Sequence, residues 1–399
     1  MKKADFLICG GGIVGLTIAR ELVKEGYENI IVIEKEEALG KHSSGRNSGV
    51  LHSGIYYTPD SLKAKSCLKG NFLMREYCKE KKLPLLETGK VIVARNEDEI
   101  KTLKELCGRA IKNGAKVELI DERQLEEIEP CARTYEKALY SYYTAVVDPI
   151  AILKSLYDDL VFSGKAAVLL NTEFKNIKGG NAILANTGAI GFDTFINTAG
   201  AYSDKVAQAF GIGLNYKLIP FKGIYKKMRS EKLFMVRGNI YPVPDIRNPF
   251  LGVHFTRSVK GDVYLGPTAI PSLGRENYGI FLGMDREAVN IFFREVSLFL
   301  INPKFRNVAL SEPKKYFPSF FFEDARKLVK DLDPDDVLPS DKVGIRPQLV
   351  DWKKKELIMD FVIIQDGNSI HIVNATSPAF TGSMDFAEFI VKKYIKKEK

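Results

Sequence analysis

Cysteine, histidine and tryptophan are scarce in this chain, whose 399 residues include five cysteines, four histidines and one tryptophan. No two cysteines form a Cys-x-x-Cys pair, and no histidine stands at metal-ligand spacing from them. We therefore expect no metal site, and we expect the protein to reside in a reducing cytoplasm. Acid–base chemistry by histidine is limited to four candidates.

Long apolar runs are also absent. No stretch approaches the roughly 18 residues that cross a bilayer, and a strand is predicted from Asp5 onward, so we expect neither a membrane span nor a cleavable signal. The formal net charge is +9, yet acidic and basic residues are interspersed, and no basic block is interleaved with aromatics. This pattern argues against a nucleic-acid partner and indicates a solvated surface that attracts anionic substrates or lipids.

The most informative motif present is a glycine-rich turn near the N-terminus. The apolar run Asp5–Cys9 leads into Gly10-Gly11-Gly12-Ile13-Val14-Gly15, which opens a helix with apolar residues at helical spacing. Gly10 makes the tight turn, Gly12 lets backbone amides approach a pyrophosphate, and Gly15 allows close packing of helix on strand. The motif predicts a dinucleotide-binding βαβ unit with the anion on the helix N-terminus.

An acidic residue completes this unit. Glu34 ends the second predicted strand, Ile30–Ile33, and follows Gly15 by 19 positions. A carboxylate about 20 residues past the last glycine holds a ribose hydroxyl. Because it disfavours a 2′-phosphate, we do not expect NADP.

The rest of the chain alternates between two regions, as expected for a length that exceeds what one hydrophobic core usually serves. Asp148-Pro149 is a helix start with a capping carboxylate, and it returns the chain to the nucleotide region. The strand-like run Phe192–Asn197 then leads to small residues around Gly200 that let a cofactor approach. Residues 377–383 open a C-terminal helix whose free amides face an electron-rich ring or an anion.

The second region is strand-rich and carries no phosphate-binding glycines. It covers residues 85–143 and resumes from Tyr216 to about Pro339. Leu251–Arg257 and Val263–Thr268 are interpreted as two adjacent strands of a substrate-facing sheet.

These motifs together resemble the FAD enzymes of the D-amino-acid-oxidase-like superfamily over nearly the whole chain. Within it, Ser44–Tyr57 looks like the signature of the L-2-hydroxyglutarate oxidase/dehydrogenase family. Supporting motifs are Pro220–Gly223, Leu251–Arg257, Gly266-Pro267, Gly344–Arg346 and Asn374–Ala379.

Three positions depart from the family pattern. Ser53 stands where alanine is usual, Lys222 where arginine is usual, and Thr268 where asparagine is common. His52-Ser53-Gly54 is also close to the form in FAD-dependent glycerol-3-phosphate dehydrogenases. Glycerol-3-phosphate oxidation, or amine or amino-acid oxidation, is therefore kept as an alternative.

The resemblance implies an α/β fold in which a Rossmann-like FAD-binding domain is interleaved with an α+β substrate domain built on an antiparallel sheet. We assign residues 1–80, 146–213 and 340–399 to the first domain, and residues 81–145 and 214–339 to the second. The residues expected to bind FAD are Gly10, Gly12, Ile13, Val14, Gly15, Glu34, Lys35, Ser43, Ser44, Arg46, Asn47, Ser48, Gly49, Phe174, Ala199, Gly200, Ser203, Gly344, Arg346, Pro378, Ala379, Phe380 and Thr381.

The implied reaction is oxidation of L-2-hydroxyglutarate to 2-oxoglutarate, with a hydride passing to flavin N5 while a base takes the hydroxyl proton. His52, in the signature, is the first choice of base and His254 its rival; His42 is expected in a loop and His371 in the core. Arg346 is a catalytic candidate suited to a carboxylate. Further substrate-binding candidates are Tyr56, Lys222, Arg257 and Thr381.

The electron acceptor is expected to be a quinone or oxygen. Residues 291–301 and 316–322 are aromatic with basic neighbours. They are interpreted as packed helices of the substrate domain, with a membrane-surface patch as the alternative. The second interpretation would place the enzyme peripherally on the inner face of a membrane.

Overall fold

The computed structural model describes residues 2–245 and 250–396. The described residues form 21 strands: β1 (Lys2–Cys9), β2 (Ile30–Ile33), β3 (Val50–Leu51), β4 (Leu85–Leu86), β5 (Lys90–Val93), β6 (Val117–Asp121), β7 (Lys137–Ser141), β8 (Ala145–Val147), β9 (Ala166–Leu169), β10 (Phe174–Ile177), β11 (Ala182–Ala185), β12 (Gly188–Asn197), β13 (Tyr216–Met228), β14 (Asn239–Pro242), β15 (His254–Arg257), β16 (Val263–Gly266), β17 (Ile270–Pro271), β18 (Val337–Asp351), β19 (Glu356–Leu357), β20 (Val362–Asp366) and β21 (Ser369–Asn374).

Helices cover the faces of the sheets. The described α-helices are α1 (Ile13–Lys24), α2 (Leu62–Glu80), α3 (Glu97–Lys112), α4 (Glu122–Ile128), α5 (Pro149–Phe162), α6 (Ser203–Ala209), α7 (Ala288–Ile301), α8 (Pro303–Ser311), α9 (Pro318–Ala325) and α10 (Ala379–Ile390). None of the helices formed by the described residues combines the length and apolar character that crossing a bilayer requires.

The first sheet is built around β1, which pairs in parallel with both β2 and β12. Strands β9 and β21 extend the parallel part on its two sides, while β10, β11 and β20 join in antiparallel fashion. Alternation along β1 sends Ile8 into a core shared with α1, α2, α5 and α10, and Leu7 into a core shared with α6. The sheet is therefore covered on both faces, as parallel sheets are.

The second sheet runs in the order β19-β18-β13-β16-β15-β14-β5-β7-β6, with β17 on β13. All its pairs are antiparallel except β14 with β5. A third, small sheet pairs β3 and β4 with β8 in antiparallel fashion. The mixed α/β architecture predicted from the sequence is confirmed.

Residues 340–351, which the sequence assigns to the FAD-binding domain, form most of β18 and pair with β13 along its length. They are therefore part of the second sheet, although the carbonyls of Val343 and Ile345 accept hydrogen bonds from Arg46 and Ser43 of the FAD-binding region. The two predicted neighbouring strands do pair, as β15 and β16. They are shorter than predicted because Gly252 adopts a positive φ of 76° before β15 and Pro267 has no N–H to donate after β16.

The predicted helix start at Asp148 is present. Its carboxylate accepts hydrogen bonds from the backbone N–H groups of Ile150 (2.9 Å) and Ala151 (3.2 Å). A buried ion pair also ties the two regions together: Arg275, after β17, donates to the carboxylate of Asp204 on α6 and to Glu287 before α7. This pairing holds the loop that follows Arg275 against the first region.

Candidate active site

A cavity of about 770 Å³ opens where the parallel strands of the first sheet end. Its size lies in the upper range of ligand sites. Of the residues predicted to bind the cofactor, it is lined by Gly10, Gly12, Ile13, Val14, Glu34, Lys35, Ser43, Ser44, Arg46, Asn47, Ser48, Phe174, Ala199, Gly200, Gly344, Arg346, Pro378, Ala379, Phe380 and Thr381. Gly15, Gly49 and Ser203 are not part of the lining.

The backbone of the turn Gly10–Gly15 lies so close to neighbouring backbone atoms that Gly10 and Gly15 have no room for a side chain. Gly10 has a φ of 117°, and a Cβ there would overlap the carbonyl of Thr198. Gly15 packs against the carbonyl of Gly10, so its role is to seat the helix on the strand and not to contact a ligand. A Cβ on Gly12 would lie 3.0 Å from the hydroxyl of Ser44, which accepts a hydrogen bond from the N–H of Ile13.

Two helix N-termini open toward the cavity. Gly12 precedes α1 and Pro378 precedes α10; neither of these N-cap residues caps its helix and neither helix has an acid in its first turn, while Ser44 takes up one N–H of α1, that of Ile13. Free N–H groups at a helix start favour an anion. The arrangement suits a pyrophosphate at α1 and an electron-rich ring at α10.

Glu34 is held rigidly at the end of β2. One carboxylate oxygen accepts from the N–H of Gly11 and the other from the N–H of Glu36, both at 3.0 Å. Each oxygen has a second lone pair for a ribose hydroxyl. Phe174 lines the same part of the cavity, beside Thr172. These features fit the adenosine end of FAD.

A cluster of charged side chains lies at the cavity rim. Ligand atoms of Glu36, His42 and Glu276 lie within 4.8 Å of one another. The ammonium of Lys35 pairs with both carboxylates, and Tyr278 is hydrogen-bonded to His42 at 2.8 Å. The lysine therefore occupies the position that a cation would take, and His42 lies in the loop where it was expected.

The loop of residues 43–52, which contains the first part of the Ser44–Tyr57 signature, is hydrogen-bonded to β18 and α10. Ser43 donates to the carbonyl of Ile345 (2.9 Å), and Arg46 donates to that of Val343 (3.3 Å). The N–H of His52 donates to the hydroxyl of Thr381 (3.1 Å). These bonds bring the signature, the Gly344–Arg346 motif and the C-terminal turn to one place.

His52, His254 and Arg346 all line the cavity. Burial lowers the pKa of His52 well below its ordinary value, and the positive charge of Lys90 and the presence of His254 and Arg346 lower it further. Burial lowers the pKa of His254 to about 3, although its bond to the Gly252 carbonyl opposes this. Both imidazoles are therefore neutral at physiological pH.

The neutral tautomer of His254 is defined by its neighbour. Its Nδ1 lies 2.8 Å from the carbonyl of Gly252, which can only accept, so Nδ1 carries the proton and Nε2 is an acceptor. The ring of Tyr241 stacks on His254 with centroids 3.8 Å apart. The pair of rings forms a wall of the cavity.

Three predicted substrate ligands do not reach the cavity. Arg257 donates to the carbonyls of Leu233 (3.0 Å) and Val236 (2.8 Å), because alternation along β15 turns it to the face opposite His254. The Lys222 ammonium donates to the carbonyl of Gly279. Tyr56 is packed behind the histidines, beside Lys90.

Sequence reasoning missed Tyr241, Tyr225 and Leu251 of the lining. It also missed Lys90, which is 1% exposed. The sequence contained one signal for it, since this lysine opens the apolar strand Lys90–Val93. His371 is buried against Phe195 and Phe210, as a core residue.

Comparison with known proteins gives one family over almost the whole chain. Residues 5–392 match the family model "FAD dependent oxidoreductase". The chain is 37% identical to L-2-hydroxyglutarate dehydrogenase of Indibacter alkaliphilus, covering 98% of both proteins. It is 36% identical to the mitochondrial enzyme of that name from Bos taurus and 35% identical to that of Homo sapiens, covering 97% of this chain and 87% of the relative in each case.

Solved structures agree on the fold. L-alpha-glycerophosphate oxidase from Mycoplasma pneumoniae, with FAD bound, superimposes with a TM-score of 0.78 at 23% identity, covering 100% of this chain and 96% of that one. L-proline dehydrogenase from P. horikoshii superimposes with a TM-score of 0.72 at 18% identity, covering 100% and 95%. At these identities the similarity concerns the fold alone.

The role assigned to Glu34 is tested by Glu34→Gln. We expect FAD to bind on the order of tenfold more weakly, because an amide oxygen accepts a hydroxyl hydrogen bond less strongly than a carboxylate does. The measurement is the dissociation constant of FAD from the apoprotein, followed by flavin fluorescence. Glu37→Gln, at an exposed residue paired with Lys41, is the control. Equal affinity in both variants would contradict the ribose contact.

Proposed function

The chain belongs to the FAD-dependent oxidoreductases and, within them, to the L-2-hydroxyglutarate dehydrogenase family, and from this membership we propose that it oxidises L-2-hydroxyglutarate to 2-oxoglutarate. The observation that carries the proposal is the charge of the enclosed site. Two neutral histidines and Arg346 face the cavity, and no carboxylate is among the groups that shift the pKa of either histidine. Such a site suits an anionic substrate.

FAD is the cofactor, and when bound it supplies the acceptor of two electrons. The residues that fit its parts are the Gly10–Gly15 turn with Ser44 for the pyrophosphate, Glu34 for the ribose, and the amides at the start of α10 for the ring. These groups come from four separate segments of the chain. They line one side of the cavity, and His52 and His254 line another part of it, which is available to the substrate.

We assign the role of base to His52. A base must be unprotonated before the reaction, and the lowered pKa of this imidazole ensures that. Its backbone is tied to Thr381, so the ring is held beside the start of α10. When the imidazole takes the hydroxyl proton it becomes a cation, and the negative charge of the bound substrate offsets that cation.

Arg346 suits the carboxylate next to the reacting carbon. Its guanidinium carbon lies 5.7 Å from the centre of the Phe250 ring, and within residues 2–245 and 250–396 no acidic side chain is paired with it. An unpaired guanidinium at a cavity wall offers two parallel N–H donors to a carboxylate. In this arrangement the carboxylate orients the hydroxyl toward the histidines.

Substrate identity is tested by anaerobic titration of the holoenzyme. We expect L-2-hydroxyglutarate to bleach the flavin absorbance, and D-2-hydroxyglutarate, L-lactate and glycerol-3-phosphate to leave it unchanged at the same concentration. The expectation rests on the family membership, together with Arg346 as the cation for the carboxylate next to the reacting carbon. Bleaching by glycerol-3-phosphate alone would replace the proposed substrate with a phosphate ester.

The role of His52 is tested by comparing His52→Ala with His254→Ala. We expect His52→Ala to retain FAD but to slow anaerobic reduction of the flavin by about 10²- to 10⁴-fold, as loss of a general base does. His254→Ala should chiefly raise KM. Stopped-flow absorbance measures both. The reverse ranking of the two variants would assign the base to His254.

We further propose that a membrane quinone accepts the electrons. The two electrons and two protons removed from one hydroxy acid convert one quinone to one quinol. An apolar surface supports this proposal, and we define it as Ile280–Leu282 together with the exposed face of α7. The three loop residues are 72%, 80% and 76% exposed. The exposed face of α7 carries Val289, Phe292, Phe293, Val296 and Leu300.

The same helix buries Ile291 and Leu298 on its other side. Large apolar side chains therefore occupy both sides of α7, interrupted by Arg294 and Glu295, and an exposed apolar patch of this kind marks an interaction site. The surface also connects with the cavity, because Glu276 is in the cavity lining and Asn277 donates to the carbonyls of Gly279, Ile280 and Leu282. Free thiols at all five cysteines suit the cytoplasmic face of a membrane.

Vesicle binding tests this surface. We expect the wild-type holoenzyme to sediment with phospholipid vesicles that contain anionic lipid, and the triple variant Ile280→Ser, Phe281→Ser, Leu282→Ser to stay in solution, because each large apolar side chain contributes about 1.5–3 kcal/mol on burial. Phe162→Ser, at a 90% exposed residue of α5, is the control and should sediment like the wild type. Wild-type protein that stays in solution would overturn the proposal and favour oxygen as acceptor.

A further inference from the structure

A group of buried polar atoms without partners lies behind the two histidines. It comprises His52 Nδ1, Tyr56 Oη, Lys90 Nζ, Tyr241 Oη and Thr256 Oγ1. The Lys90 ammonium lies 4.6 Å from the centre of the Tyr56 ring and 4.7 Å from that of the Tyr241 ring. Buried polar atoms nearly always have partners, so a cluster of orphans indicates a ligand or a reactive role.

Strand register explains why these residues are neighbours. Tyr241 aligns with Ile92 on β5, and the pairing of Ile240 with Phe255 aligns Tyr241 with His254 on β15. Residues two apart on a strand share a face, so Lys90 and Thr256 lie on the same face as Tyr241 and His254. The second sheet therefore places four side chains next to one another on one face: Lys90, Tyr241, His254 and Thr256.

The cluster is rich in donors and contains no acid. The ammonium and the three hydroxyls can all donate, and Lys90 has no carboxylate among the groups that shift its pKa. Leaving a cation buried and unpaired is costly. A bound anion would offset that cost, so the group resembles an anion site before its ligand is bound.

Tyr241 separates Lys90 from the cavity, since its ring is part of the cavity wall. Lys90 is nevertheless close enough to His52 and His254 for its charge to lower the pKa of both imidazoles, so its ammonium is near the part of the cavity that these rings line. Arg346 is a further cation of the cavity wall that has no acidic partner among the described residues. Two cations without acids match a substrate with two carboxylates.

We propose that Lys90 determines the preference for dicarboxylic substrates by pairing with the carboxylate remote from the reacting carbon, with the hydroxyls of Tyr241 and Thr256 as further donors to it. This inference rests on the proposed function, and it adds the residue that recognises the second carboxylate. Arg346 holds the carboxylate next to the reacting carbon. A hydroxy acid with an apolar tail would leave Lys90 unpaired.

The test compares two substrates of equal length, L-2-hydroxyglutarate and L-2-hydroxypentanoate, in the holoenzyme. In Lys90→Met we expect kcat/KM for the dicarboxylate to fall on the order of 100-fold, mostly through KM, because truncating one partner of a buried charge pair loses the interaction. For the monocarboxylate the value should change by less than about threefold, since it makes no such pair. Lys116→Met, which removes a surface lysine that also lies over a tyrosine ring, is the matched control.

The pH dependence provides a second readout. Burial lowers the pKa of Lys90 to about 7, with an opposing effect from Cys67. Around it, the pKa values of His52 and His254 are lowered and those of Tyr56, Tyr241 and Cys67 are raised, so none of these titrates near neutrality. Protonated Lys90 binds the dianion, and therefore KM for the dicarboxylate should rise as pH increases above about 7.

Lys90→Arg keeps the charge at every pH and should remove this rise in KM. If wild-type enzyme oxidises L-2-hydroxyglutarate but Lys90→Met loses activity on both substrates equally, Lys90 is structural and the inference is wrong. If wild type does not oxidise L-2-hydroxyglutarate at all, the proposed function itself fails. Should Lys90→Met not fold, an unchanged KM for the dicarboxylate between pH 6 and 9 in wild type would also overturn the inference.

Discussion

The parallel pairing of β1 with β2 and β12 is the constraint on which the site depends. Strands that run in parallel end at the same edge of the sheet, so the residues following them are brought together. Cys9, Ile33, Asn197 and Asn374 end four such strands. The glycine turn, Glu34, the small residues near Gly200 and the start of α10 follow them. Segments more than 300 residues apart in the chain therefore line one cavity.

The second sheet completes this cavity through strand alternation. Each residue of β15 faces either the cavity side or the apolar core behind it, and a shift of one residue would exchange the two sets. His254 and Thr256 lie on the cavity side, whereas Phe255 packs in the core with Val91 and Ile240. Strand alternation also places Arg257 on the face opposite His254, and it places Lys90 on the same face as His254.

The region around His52, His254 and Arg346 contains buried polar groups without partners, at a cost in stability. Arg346 and Lys90 are basic groups without acidic partners within the described residues, and several buried hydroxyls lack hydrogen bonds. Such groups cost free energy of folding, and this cost is common where a protein prepares a site for a ligand. Near Glu34, where we propose that the adenosine binds, charged groups do have partners, since Lys35 is paired with Glu36 and Glu276.

The sequence alone determined the dinucleotide-binding unit and the family, and most of the residues it predicts to bind the cofactor line the cavity, because each depends on local features: glycine backbone freedom, the length of one βαβ unit and short motifs. It also predicted His52, His254 and Arg346, and all three line the cavity. Only the tertiary structure decided that Arg257 and Lys222 lie outside the cavity, that residues 340–351 pair in the second sheet, and that Lys90 stands behind the histidines. These outcomes depend on strand register and on pairing between distant segments, which no short stretch of sequence specifies.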